Sequence, residues 1–139
     1  MHIDLSFPGG KRISATLGDV RVDTDQPTSL GGEGAHPAPF DLFLASVATC
    51  AGIYALGFCQ ARGLSTEGLA LSMDTVEDPQ THLPTQFVLT VTPPVGFPDK
   101  YHSALLRSVE NCKVKKTIAL QPRFDVRLEG VVVAEAATA

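Results

Sequence analysis

The chain has no Trp and only 6% aromatic residues, so its 44% hydrophobic content rests on Ala, Val, Leu and Ile. A mean hydropathy of +0.12 is high for a small domain of that kind. It implies a buried helix or a large subunit interface. A basic surplus is also lacking: 11 Lys and Arg stand against 15 Asp and Glu, for a formal charge of −4. Phosphate contacts need an excess of cations, which excludes a nucleic-acid binder. Cysteine is scarce and odd in number, with Cys50, Cys59 and Cys112 showing neither C-x-x-C spacing nor the paired framework of a small secreted domain. The N-terminus, MHIDLSFPGGKR, has no basic stretch followed by an apolar run. A reducing, cytoplasmic setting is expected. The histidines His2, His36, His82 and His102 form no H-x-x-x-H pair, so neither a metal nor a cofactor is expected. A pairing of Cys50 with His36 as nucleophile and base lacks an orienting Asn or Asp at recognisable spacing.

At 139 residues the chain fits one domain, 1–139, with no room for a second. His2 to Phe7 alternates apolar and polar residues, Pro8-Gly9-Gly10 supplies a turn, and Lys11 to Leu17 follows, which predicts a hairpin. Asp19 to Asp25 alternates again as a third strand. Gln26 to Pro39 carries three Gly and three Pro and is expected to be a loop. Phe40 to Arg62 is apolar on nearly every face and ends at Gly63, which predicts a helix roughly 34 Å long. Its uncharged run from Leu42 to Gln60 is about the minimum for a membrane span, but it holds Ser46, Thr49, Gly52 and Gly57 with no basic residue before it. A buried central helix is the preferred reading, with no membrane partner. A helix apolar all round must be covered all round, so a homodimer is expected.

Leu69 to Glu77 and Thr85 to Val95 predict a second hairpin, turning at Asp78-Pro79-Gln80. Phe97 to Cys112 has apolar residues at three-and-four spacing and predicts a second helix, with Lys113 to Ala119 as a short continuation. Arg123 to Val133 alternates once more and is expected to close the domain as a last strand. The order β-β-β-α-β-β-α-β is α+β with antiparallel sheet.

Cys50 and Cys59 lie nine positions apart on one predicted helix, about 900° of rotation and roughly 13 Å of rise, so they cannot bridge. Cys112 is the only partner left for either. Lys113, Lys115 and Lys116 give Cys112 electropositive surroundings that favour a thiolate. The dipole of the long helix has faded by Cys50, so its thiolate needs a cation from elsewhere.

The segment Pro39-Phe40-Asp41-Leu42-Phe43-Leu44-Ala45-Ser46-Val47-Ala48-Thr49-Cys50, preceded by Gly31-Gly32-Glu33-Gly34 and followed by Asn111-Cys112-Lys113-Val114, resembles the OsmC/Ohr family of osmotically induced and organic hydroperoxide resistance proteins. The resemblance covers the whole chain. It implies an OsmC-like fold in an intertwined homodimer with sites at the subunit interface. It further implies thiol-dependent reduction of organic hydroperoxides, with Cys50 attacking, Cys112 resolving, and an external dithiol resetting the disulfide.

The family uses an Arg on the second strand after a Gly-Gly turn. Here Gly9-Gly10 is followed by Lys11 and Arg12, only one of which faces the site; the forked guanidinium favours Arg12. Where peroxidase members carry a Glu that anchors the Arg, this chain has Phe40, with Asp41 next along the helix. Tyr54, one turn past Cys50, joins Lys11, Phe40 and Asp41 as a substrate-lining candidate. Phe40 also supports an alternative, a non-catalytic or weakly active relative that binds small molecules or serves as a stress module.

Overall fold

The computed structural model describes residues 1–130. Three strands, β1 (Asp4–Gly9), β2 (Arg12–Leu17) and β3 (Val20–Thr24), form an antiparallel sheet in chain order. The register of β1 on β2 slips between Ser6 and Gly9, around a Pro8 that has no N–H to give the ladder. β4 (Ala70–Glu77) and β5 (Pro84–Thr92) form a second antiparallel pair. Its connecting turn is pinned by the Asp78 carboxylate, which accepts the backbone N–H groups of Gln80 and Thr81 at 3.0 and 2.8 Å.

The long helix α1 (Pro39–Gln60) starts with Pro at its first position, where no intrahelical N–H is needed. The Asp41 carboxylate accepts the N–H of Ala38 at 3.0 Å, so Asp41 serves the helix start. At the other end Gly63 takes φ 62°, with Leu64 N–H donating to Cys59 O and Gly63 N–H to Gln60 O. Those two bonds are the glycine-terminated helix stop the sequence predicts. α2 (His102–Glu110) and α3 (Lys113–Ala119) follow, separated by Asn111 and Cys112.

The core lies between α1, α2 and the second sheet: Ala51, Ala55, Phe58 and Cys59 pack on Leu105 and Val109, with Leu71, Leu89 and Phe97 around them. Ser108 Oγ donates to Tyr54 O at 3.2 Å and ties α2 to α1.

A single protomer covers the central helix on one side only: 28% of its apolar window is covered, and Phe40, Phe43 and Ile53 stand exposed. The helix is long and apolar enough to cross a membrane by composition alone, yet its inner face packs on α2 and β4 as a core helix does. One expectation is corrected: among the described residues the last strand is absent, since residues 121–128 hold no regular structure, and 131–133 lie outside the described residues. A strand needs a neighbouring edge to hydrogen-bond. Phe124 and Val126, at 92% and 91% exposure, find no such edge within the protomer.

The first sheet makes no substantial contact with the helices or with the second sheet. β1 is exposed along its length, including Leu5 and Phe7.

Candidate active site

Cys50 lies at the edge of the buried stripe of α1, next to Val47 and Ala51, so its sulfur points past the core toward α3. α3 begins right after Cys112, whose backbone caps it: Lys116 N–H donates to Cys112 O at 3.1 Å. This places the first N–H groups of α3, which have no partner inside the helix, beside Cys50. Both cysteines are free thiols; Cys50 is half-buried and Cys112 fully buried.

The two thiols are in different electrostatic states. The Cys112 S–H donates to the Cys50 sulfur, the N–H groups of Val114 and Lys113 also donate to it, and the Lys115 charge adds to them. Together these outweigh burial and hold Cys50 below the usual thiol range. Burial pushes Cys112 up, and donating to Cys50 raises it further. The charge of Lys115 acts on Cys50, while Cys112 is raised on balance even though the N–H groups of Lys115 and Val114 lower it. This corrects the expectation that Lys113, Lys115 and Lys116 favour a thiolate at Cys112. Cys59, enclosed in the core, is pushed up by burial.

A cleft of about 750 Å³ opens at Cys50, lined mainly by apolar groups from Phe43, Val114, Ile118, Pro122 and Phe124. A thiolate at the wall of such a cleft, with a protonated thiol in contact, can attack an electrophilic oxygen and then be trapped as a disulfide.

The other expected site residues are distributed as follows. Phe40 stacks on Phe43 with centroids 5.5 Å apart, and Phe43 meets Phe87 edge-on at 6.3 Å, so Phe40 extends the aromatic end of the cleft. Asp41 is engaged at the helix start. Tyr54 lines a separate groove between α1 and α2. Lys11 and Arg12 line a third cleft on the first sheet. There the charge of Arg12 acts on Asp25, and its Nε is buried without a partner among the described residues.

Sequence reasoning missed the backbone of Lys113 and Val114, the specific part of Lys115, and the apolar wall of Ile118, Pro122 and Phe124. The signal available was the start of a helix immediately after Cys112.

Because Lys115 acts at the edge of the site, Lys115→Gln is expected to move the Cys50 alkylation curve to higher pH. With less thiolate at a given neutral pH, alkylation should slow by about twofold to fivefold, the worth of one partly screened charge. Iodoacetamide rates measured against pH check this, and an unmoved curve would remove Lys115 from the site.

An α+β protomer with two antiparallel sheets and three helices matches the OsmC-like fold. The family model for OsmC-like protein matches residues 32–127, well over half of the chain, and the chain belongs to the OsmC-like family. Among solved structures, a Psychrobacter arcticus protein named for osmotic stress induction and detoxification response is 20% identical, with a TM-score of 0.69 over 83% of this chain and 85% of its own. The Legionella pneumophila organic hydroperoxide resistance protein OsmC is 23% identical, with a TM-score of 0.51 over 85% and 89%. At those identities the likeness establishes the fold. No curated protein matches the chain.

Proposed function

We propose that this protein is a thiol peroxidase that reduces organic hydroperoxides in a stress-defence role, in the reducing setting of the cytoplasm. The single observation that carries the reading is the asymmetric thiol pair, a Cys50 thiol held below the usual range by its neighbours beside a buried Cys112 thiol pushed above it. The Cys50 thiolate attacks one peroxide oxygen, the O–O bond breaks, and the departing alkoxide takes a proton to leave as alcohol. The resulting Cys50 sulfenic acid then reacts with the Cys112 thiol, forming the S–S bond and releasing water. An external dithiol supplies the two electrons that restore both thiols by exchange. The apolar cleft excludes water around the sulfur and suits a substrate with a hydrocarbon body.

The functional unit in this reading is a homodimer with composite sites. Three features support it: the uncovered face of α1, the unattached first sheet, and the buried Arg12 Nε that has no acceptor among the described residues. Arg12 is assigned to the partner's site, where it orients the peroxide and supports the thiolate, with Lys11 beside it and Phe40 at the aromatic end of the cleft it enters.

One experiment tests both parts. Protein treated with one equivalent of cumene hydroperoxide is expected to lose two hydrogens per chain and to yield a Cys50–Cys112 cross-linked peptide. Native mass spectrometry of the same sample is expected to show twice the 14.7 kDa chain mass. An unchanged chain mass favours instead the non-redox binding module, which the replacement of an anchoring Glu by Phe40 motivates.

A further inference from the structure

Arg12 opens β2, and Asp25 follows directly on β3. The register sets Ile13 across from Thr24, so one step further along the antiparallel ladder Arg12 stands across from Asp25, on one face of the sheet. The two strands are tied up to that step, since Thr24 Oγ1 donates to Ile13 O at 2.9 Å. The charge of Arg12 acts on the Asp25 carboxylate. Asp23, two residues earlier on the same face, is taken instead by Arg21, whose Nε donates to it at 2.7 Å, and by the Ser14 hydroxyl.

Asp25 is the fixed member of this pair. It is 1% exposed, its Oδ1 accepts the Gln26 N–H, and its Oδ2 accepts those of Glu33 and Ala35. The same three donors fold the loop between β3 and α1 back over β2, where a Cβ on Gly31 would lie 3.8 Å from Lys11 Cε. Arg12 is half-buried, and its enclosed Nε has no partner among the described residues. A partly buried guanidinium lacking an acceptor holds its position only where a nearby opposite charge offsets its desolvation. The Asp41 carboxylate is engaged by Ala38 N–H at the start of α1, which leaves the immobile Asp25 to supply that charge.

We propose that Asp25 is the positioning residue of Arg12: a buried carboxylate, locked by backbone N–H groups across the β2 and β3 ladder, that orients the guanidinium for the hydroperoxide while its loop seats Lys11 alongside. Asp25 touches neither substrate nor thiol and acts through Arg12 alone. The inference rests on the assignment of Arg12 to the thiol site made above, and its test separates the two.

The experiment is a double-mutant cycle of Asp25→Asn and Arg12→Ala, run below the melting temperature of each variant. Asp25→Asn is expected to slow cumene hydroperoxide consumption roughly tenfold in the native background and less than about twofold in the Arg12→Ala background. An Asp25 that serves the loop alone would slow both by the same factor, and that result would overturn the proposal. The cycle is read a second time as iodoacetamide alkylation of Cys50, which needs no hydroperoxide chemistry. A wild type that consumes no hydroperoxide therefore defeats the peroxidase reading, while the alkylation rates still decide Asp25: coupling with Arg12 supports its role and additivity overturns it. Should Asp25→Asn not fold, carboxyl NMR of the Arg12→Ala variant carries the test. The Asp25 titration is expected to move to higher pH once the guanidinium is gone, and an unmoved titration would overturn the pairing.

Discussion

Cys50→Ser is expected to reduce hydroperoxide consumption to the background rate, whereas Cys112→Ser should consume one equivalent and stop. The difference follows from exposure and charge. Cys50 opens onto the cleft and is held below the usual thiol range, so the more readily ionised of the two thiols is the one a peroxide can reach. Cys112 is fully buried and its thiol is pushed up, so it neither meets the peroxide first nor replaces Cys50. A serine at 112 still offers an O–H toward Cys50, and the N–H groups of Lys113 and Val114 remain in place, so the first step survives. What disappears is the thiol that closes the disulfide. The variant should therefore accumulate a sulfenic acid, one added oxygen at Cys50 in the peptide mass, and no further alcohol should form. Peroxide consumption followed over several equivalents, with peptide mass spectrometry at the end point, checks both halves. Equal residual turnover in the two variants would contradict the roles assigned to them.

Local signals were legible where they are stored in short stretches of chain. Alternation in Arg12 to Leu17 and in Ala70 to Glu77 locates strands whose pairing is settled by nearby turns. Pro39 and Gly63 mark both ends of α1, because each residue type fits one backbone geometry at a helix end. The closing strand failed for the opposite reason: Phe124 and Val126 alternate correctly, but alternation does not supply an edge to pair with.

The candidate site divides along the same line. Cys50 and Cys112 were legible as residue types, and the structure brings them together across the α1 to α3 contact. The charge that acts on Cys50 was misplaced, since reading along the chain ties Lys115 to its neighbour Cys112. The start of α3 instead turns its N–H groups, and with them Lys115, toward Cys50. Backbone donors carry no residue signature, so no inspection of side-chain types finds them. Asp25 was likewise read as the end of a strand, because the three N–H groups that gather around it come from a loop whose path no local rule fixes.

Gly32→Ala is expected to destabilise the protein by about 3 kcal/mol or more, because the added methyl group has nowhere to go. It would overlap the Gln26 carbonyl oxygen and lie 2.8 Å from Asp25 Oδ1. Neither neighbour can retreat. Gln26 O accepts Gly34 N–H at 3.1 Å, while the fully buried Asp25 carboxylate accepts the N–H groups of Gln26, Glu33 and Ala35 at 2.8, 3.1 and 3.1 Å. Shifting either strips partners from the whole loop between β3 and α1. Thermal unfolding should show the loss as a melting temperature lower by roughly 10 °C.

The same hub has a pH signature. Burial alone would raise the Asp25 carboxyl, but the N–H groups of Ala35, Gln26 and Glu33, with the charge of Arg12, reverse this and leave it below its ordinary value of 3.8. A lowered folded value means that the ionised group stabilises the fold above 3.8, and that this contribution is lost as pH falls through the folded value. Asp25→Asn should therefore lower stability at neutral pH and flatten that part of the acid limb, because the variant has no proton to bind there. Wild-type stability at neutral pH in either variant would show that the loop does not depend on this carboxylate.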